Sequence, residues 1–70
     1  MREYLVVIEK AGDNYSAYSP DLPGCVATGE TKDATEAHMQ EAIRMHLDGL
    51  REDNLPIPQP SASAQYIAVE

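Results

Sequence analysis

Twelve acidic side chains against five basic ones give this 70-residue chain a formal net charge of −7. The length leaves room for one domain, and 43% apolar residues suffice for a core, so a globular chain is expected rather than a disordered one. The five cations, Arg2, Lys10, Lys32, Arg44 and Arg51, are too scattered to neutralise a phosphate backbone, so no direct binding of DNA or RNA is expected.

The core must be thin. Below about 70–80 residues, hydrophobic burial barely exceeds the entropy lost on folding, and such scaffolds usually lean on disulfides, metals or oligomerisation. Cys25 is the only cysteine and cannot form an internal disulfide, which leaves a homodimer or higher homo-oligomer as the expected support. No apolar run approaches the roughly 18 residues of a membrane span, and no signal peptide is visible, so the expected location is the cytoplasm, away from membranes.

In chain order, Tyr4-Leu5-Val6-Val7-Ile8 is a β-branched and aromatic run that predicts a first strand. Turn residues from Lys10 to Asn14, centred on Gly12, lead into a second strand, Tyr15 to Tyr18, paired antiparallel with the first. The segment Ser19-Pro20-Asp21-Leu22-Pro23-Gly24 carries two prolines and a glycine and cannot continue as strand. A short third strand follows from Cys25 to Gly29.

A helix is predicted from Thr31 to about Asp53, with Thr31 or Asp33 as N-cap; Asp33 and Glu36 stand at capping-box spacing. At 100° per residue, Thr35, Met39, Ala42, Ile43, His46, Leu47 and Leu50 form one stripe. Glu41, Arg44, Asp48 and Arg51 fall opposite, while Met45 and Gly49 lie off the stripe and offer contact to something other than the sheet. Asn54 is the expected stop, and Pro56, Pro58 and Pro60 impose a stiff polyproline-type connector. After a loose Ser61–Ala64, Gln65 to Val69 reads as a last strand.

Short loops make the first three strands a meander, and a right-handed helical crossover returns the last strand beside the first. The expected architecture is therefore α+β, βββαβ, with sheet order 3-2-1-4 and one helix on one face. Strand one alternates Tyr4, Val6 and Ile8 against Leu5 and Val7. With only one face covered, Leu5 and Val7 are the expected self-association face.

Candidate chemical groups reduce to structural ones on spacing. Asp13, Asp21, Glu30 and Asp33 sit in loops or at element ends, with no spacing that drives two carboxylates to one point, so no metal site is expected. His38 and His46 are eight residues apart, about 80° around a helix, which separates them too far for a shared metal. His46 lies on the apolar stripe and reads as a core or interface histidine, His38 as an exposed one. Cys25 has no neighbouring base in sequence and reads as a small buried residue. Four tyrosines without adjacent cations read as packing groups rather than a base-stacking platform. No phosphate loop or zinc spacing occurs, and no cofactor is expected.

The turn Pro20-Asp21-Leu22-Pro23-Gly24-Cys25, then Gly29-Glu30-Thr31, Glu41-Ala42-Ile43 and the proline tail Pro56 to Pro60, resembles the HicB-like antitoxin family in order and spacing. The likeness runs from about Tyr4 to Val69. It implies a partial ribonuclease H-like fold, assembly into homo-oligomers, and a HicA-type toxin, a small basic mRNA interferase, as partner. Family members neutralise the toxin by covering its active surface, and many carry a DNA-binding tail; with the last residue at Glu70, a short form without that tail is expected. The sequence departs from the family at Ala34-Thr35 and Glu36, early in the helix. Val6 and Val7 stand where a ribonuclease H strand would need a metal-binding aspartate, so no enzymatic activity is expected. The function implied is occlusion of a toxin ribonuclease; the alternative is an orphan oligomeric domain with a scaffold or regulatory role.

Overall fold

A computed structural model describes residues 2–70, in the order β1 (Val7–Ala11), β2 (Asn14–Tyr18), β3 (Val26–Gly29) and α1 (Lys32–Glu52). The strands form one antiparallel sheet in the order β1-β2-β3, and α1 lies across one face, mostly over β3 and β2. The fold is α+β, as expected, and the meander and helix stand where the sequence placed them.

Strand β1 starts three residues later than the apolar run does. Val7 pairs with Tyr18, the last residue of β2, and the chain then turns away through Ser19 and Pro20, so Tyr4–Val6 lie outside the ladder. At the other end, Lys10 and Ala11 belong to the strand rather than the turn. A two-residue turn, Gly12-Asp13, closes the hairpin; Gly12 has φ 65°, the left-handed value that type II′ turns need at their first central position.

The expected fourth strand is not part of this sheet, which has three strands among the described residues. Tyr66, Ile67 and Val69 are instead 107%, 77% and 87% exposed. Strand preference measures fit to a half-buried pleated surface, and beyond Tyr66 the tail meets none in its own chain.

The helix is capped at both ends by backbone-directed devices. Thr31 is the N-cap: its hydroxyl accepts from the Ala34 amide at 3.0 Å. The N3 position is thus Ala34, and Asp33 serves as a first-turn acid rather than as half of a capping box with Glu36. At the far end, Asn54 has φ 56°, the Leu55 amide donates to the Leu50 carbonyl, and the Asn54 amide donates to that of Arg51. That pair of bonds is a Schellman closure, which makes Asn54 the stop the sequence predicts.

The helical stripe from Thr35 to Leu50 is buried or half-buried throughout. The fully enclosed core is small, comprising Ala17, Leu22, Cys25 and Met39, with Tyr4, Val6, Ile8, Ala27, Ala42, Ile43 and Leu47 packed around it. Two of the four enclosed side chains come from the irregular stretch between β2 and β3. Leu22 donates its amide to Ser19 and receives that of Cys25, a turn that aims its side chain inward until none of it is exposed. Gly24, at φ 83°, supplies the left-handed residue that brings Cys25 back toward the sheet.

Candidate interaction surfaces

The residues of the Pro20–Cys25 turn divide into two jobs. Leu22 and Cys25 face inward, and burial pushes the Cys25 thiol above its usual pKa, which keeps it protonated and unreactive at neutral pH. Asp21 faces the C-terminal segment. Its carboxylate accepts from the Ser61 and Ala62 amides, both at 3.2 Å, and from the Ser61 hydroxyl at 2.9 Å. The Ala62 amide does most to hold this carboxyl below the usual range; partial desolvation opposes it, and the two Ser61 bonds add to the lowering. The Tyr4 hydroxyl adds a second tie by donating to the Pro58 carbonyl. Sequence reasoning took Asp21 for a solvated loop acid; nothing in the spacing announces a partner forty residues away.

Gly29 and Thr31 join the sheet to the helix. A Cβ on Gly29 would stand 2.7 Å from both the backbone nitrogen and the hydroxyl of Thr35, so only glycine lets the helix start this close to β3. Thr35 is fully buried there, its hydroxyl donating to the Thr31 carbonyl at 2.7 Å.

The register assigns the two faces of the sheet. Ile8, Ala17 and Ala27 align beneath the helix, whereas Val7, Tyr18 and Val26 align across the open face. Leu5 and Val7 are half-buried, while Tyr18 and Val26 are 44% and 64% exposed. The predicted pair on strand one is thus joined by two residues that sequence reasoning missed; Tyr18 is directly opposite Val7 and Val26 is opposite Tyr18, a row visible only once the pairing is known.

The histidines separate as well. His38 is exposed, with Nδ1 2.7 Å from the Thr28 carbonyl, to which it donates. His46 is half-buried and lines a shallow hollow with Gly24, Cys25, Val26, Ala42 and Met45. Met45, off the predicted stripe, is 65% exposed, whereas Gly49 is half-buried. No three His, Cys, Asp or Glu side chains converge among the described residues, and no helix there is long and apolar enough to cross a membrane. On the outer helix face, Glu41–Arg44 and Asp48–Arg51 form exposed ion pairs at 3.3 and 3.2 Å, which leave the surrounding surface acidic.

A meander backed by one helix, with apolar side chains exposed on the sheet face and in the tail, defines a small two-layer α+β module whose salient features are surfaces for contact. The model of the HicB-like antitoxins of bacterial toxin–antitoxin systems matches residues 4–70, and the chain belongs to that family. Among solved structures, it is similar to the N-terminal domain of the antitoxin HicB of Burkholderia pseudomallei, at 29% identity and a TM-score of 0.74, over 83% of this chain and 69% of that one. A chain of a HicA3–HicB3 toxin–antitoxin complex matches at 28% identity and a TM-score of 0.73, over 86% of this chain and 70% of that one. In sequence, it is 38% identical over 64 residues to an uncharacterised 14.9 kDa protein of Haemophilus phage HP1, covering 91% of this chain but 48% of the phage protein. A UPF0150 protein of Thermoplasma acidophilum is 38% identical over 61 residues, 86% of this chain and 88% of that protein. The chain thus spans about half the length of the phage relative and most of the archaeal one.

Proposed function

We propose that this chain is an antitoxin that binds a HicA-type mRNA interferase and occludes its active surface, without chemistry of its own. The family match over residues 4–70 carries the reading, and the likeness to a chain from a toxin–antitoxin complex supports it. In this reading residues 1–70 act as one HicB-like domain in the cytoplasm, with a partial ribonuclease H-like fold that keeps the scaffold and not the metal-binding carboxylates. Leu5 and Val7, with Tyr18 and Val26, serve as the face by which copies of the chain associate. An apolar row of that kind is costly to leave in water on a domain with so small a core. The net charge of −7 suits a basic partner: it speeds encounter and repels the RNA that competes for the same surface.

Co-expression with the basic product of an adjoining reading frame tests the reading. Rescue of growth together with co-purification is the expected result, and absence of both overturns it. Replacing exposed Glu41, Glu52 and Asp53 by their amides, with Asp48→Asn, is expected to slow association about tenfold at low salt and to flatten its salt dependence. Unchanged rates would remove the electrostatic part. The apolar row also favours a second reading, an oligomeric scaffold or regulatory domain without a toxin; a chain that self-associates yet neither rescues nor co-purifies would be that.

A further inference from the structure

The two edges of the sheet are treated differently. Strand β3 is four residues long, and His38 reaches from the helix to take the Thr28 carbonyl on its open side. Short length and an occupied edge group are the usual protections against strand addition. Strand β1 is only one residue longer, but no side chain among the described hydrogen bonds takes its edge groups. It pairs only with β2, and Tyr4–Val6 continue it beyond the end of the ladder. Because α1 lies least over β1, a groove of about 470 Å³ opens along this edge beneath the helix; Tyr4, Val6, Ile8, Met39 and Ile43 form its apolar wall, and Glu36 and Gln40 form a polar rim.

The chain also carries a segment of the right kind to fill it. Residues Ala64–Tyr66 pass beside Leu5–Val7, lining a hollow with them, but join no ladder. Tyr66, Ile67 and Val69 then stand almost wholly in solvent. The molecule is correspondingly drawn out, 46 Å along its longest axis with a radius of gyration of 13.5 Å, against about 11 Å for a compact chain of this length. Alternation along a strand puts Ile67 and Val69 on one side and Tyr66 and Ala68 on the other. The root of the tail is fixed to its own sheet by the Asp21 bonds to Ser61 and Ala62. The eight residues beyond Ala62 can reach about 25 Å when extended, enough to cross to an adjoining subunit.

We propose that Gln65–Val69 of one copy adds as the fourth strand to the free edge of β1 in a second copy, and the reverse, in a reciprocal exchange. Ile67 and Val69 enter the groove beneath the partner's helix, and Tyr66 and Ala68 extend the open face beside Leu5 and Val7. Reciprocity closes the assembly as a two-fold dimer and pairs both β1 edges, so no template for further growth remains there. The inference rests on the self-association proposed above, adds an edge contact to the open-face one, and makes no use of the toxin.

The assembly state of the free, full-length chain is the test, so its outcome is independent of toxin binding. Sedimentation across a range of concentrations is expected to show a dimer for the native chain. The I67D/V69D variant is expected to raise the dimer dissociation constant at least 100-fold with the helical circular dichroism of the sheet-and-helix body kept. In a sample combining differently isotope-labelled copies, contacts between the methyl groups of Ile67 or Val69 and those of Ile8 or Ile43 are expected between copies. A native chain that stays monomeric at millimolar concentration, a variant that dimerises as tightly as the native chain, or contacts found only within one copy would each overturn the proposal.

Discussion

The junction between β3 and α1 and the root of the C-terminal tail both join distant elements, yet they are built from opposite materials. At the junction, Gly29 and Thr35 are in such close contact that no atom can be added, and Thr35 is fully buried. At the tail root, one carboxylate at the surface holds two amides and a hydroxyl, and the tyrosine hydroxyl of Tyr4 holds a carbonyl. Close packing ties stability to the junction, and reversible polar bonds leave the tail free to be redirected. A chain that must hold a fold while offering its last strand to a partner is well served by that division.

The sharpest contrast comes from Gly29→Ala. Its Cβ would meet the backbone of Thr35, which cannot give way as a flexible side chain would, so the start of the helix must shift. Overpacking of this kind costs about 1–3 kcal/mol, a large share of the stability of so small a domain. Thermal unfolding at fixed protomer concentration, so that assembly does not move the midpoint, should show a matching fall. An unchanged midpoint would mean that the helix is not seated on β3 as described.

Much of the junction was legible in the sequence because it is made of local devices. A glycine before a threonine cap, an apolar stripe with a helical period and an asparagine at the stop each act within a few residues, and each stands where predicted. The tail was misread for the complementary reason. Gln65–Val69 has the residues of a strand, but whether it becomes one depends on what lies beside it, and the pattern says nothing about which surface that is. Asp21 was invisible in the same way, because its three donors lie forty and forty-one residues on. Tyr18 and Val26 show the intermediate case: each strand was found, but their alignment with Val7 needed the register.

Asp21→Asn should act on the tail and leave the junction alone. The amide keeps the shape but loses the charge and part of the accepting capacity, so hydrogen exchange at Ser61 and Ala62 should quicken severalfold while helix amides hold. The native chain should lose the same protection in acid, measured against the intrinsic exchange rate at each pH. Asp21 titrates below its unfolded value of 3.8, so its contribution is fully present above that value and is lost as pH falls through the lowered folded pKa. Loss of protection at these two amides already at pH 6 would assign the tether to some other group.

The smallest effect concerns Ser19, where the packed turn begins. Its hydroxyl is buried and has no hydrogen-bond partner among the described protein groups, in contrast to Thr35, equally buried but bonded to Thr31. A buried hydroxyl without a partner weakens a fold, whereas one with a partner supports it, so the two alanine variants should differ in sign. Ser19→Ala removes an unmet polar group and should raise the unfolding midpoint by the equivalent of up to about 1 kcal/mol. Thr35→Ala removes a bonded hydroxyl and a methyl and should lower it. A midpoint that falls for Ser19→Ala would show that its hydroxyl is held after all, by an enclosed water.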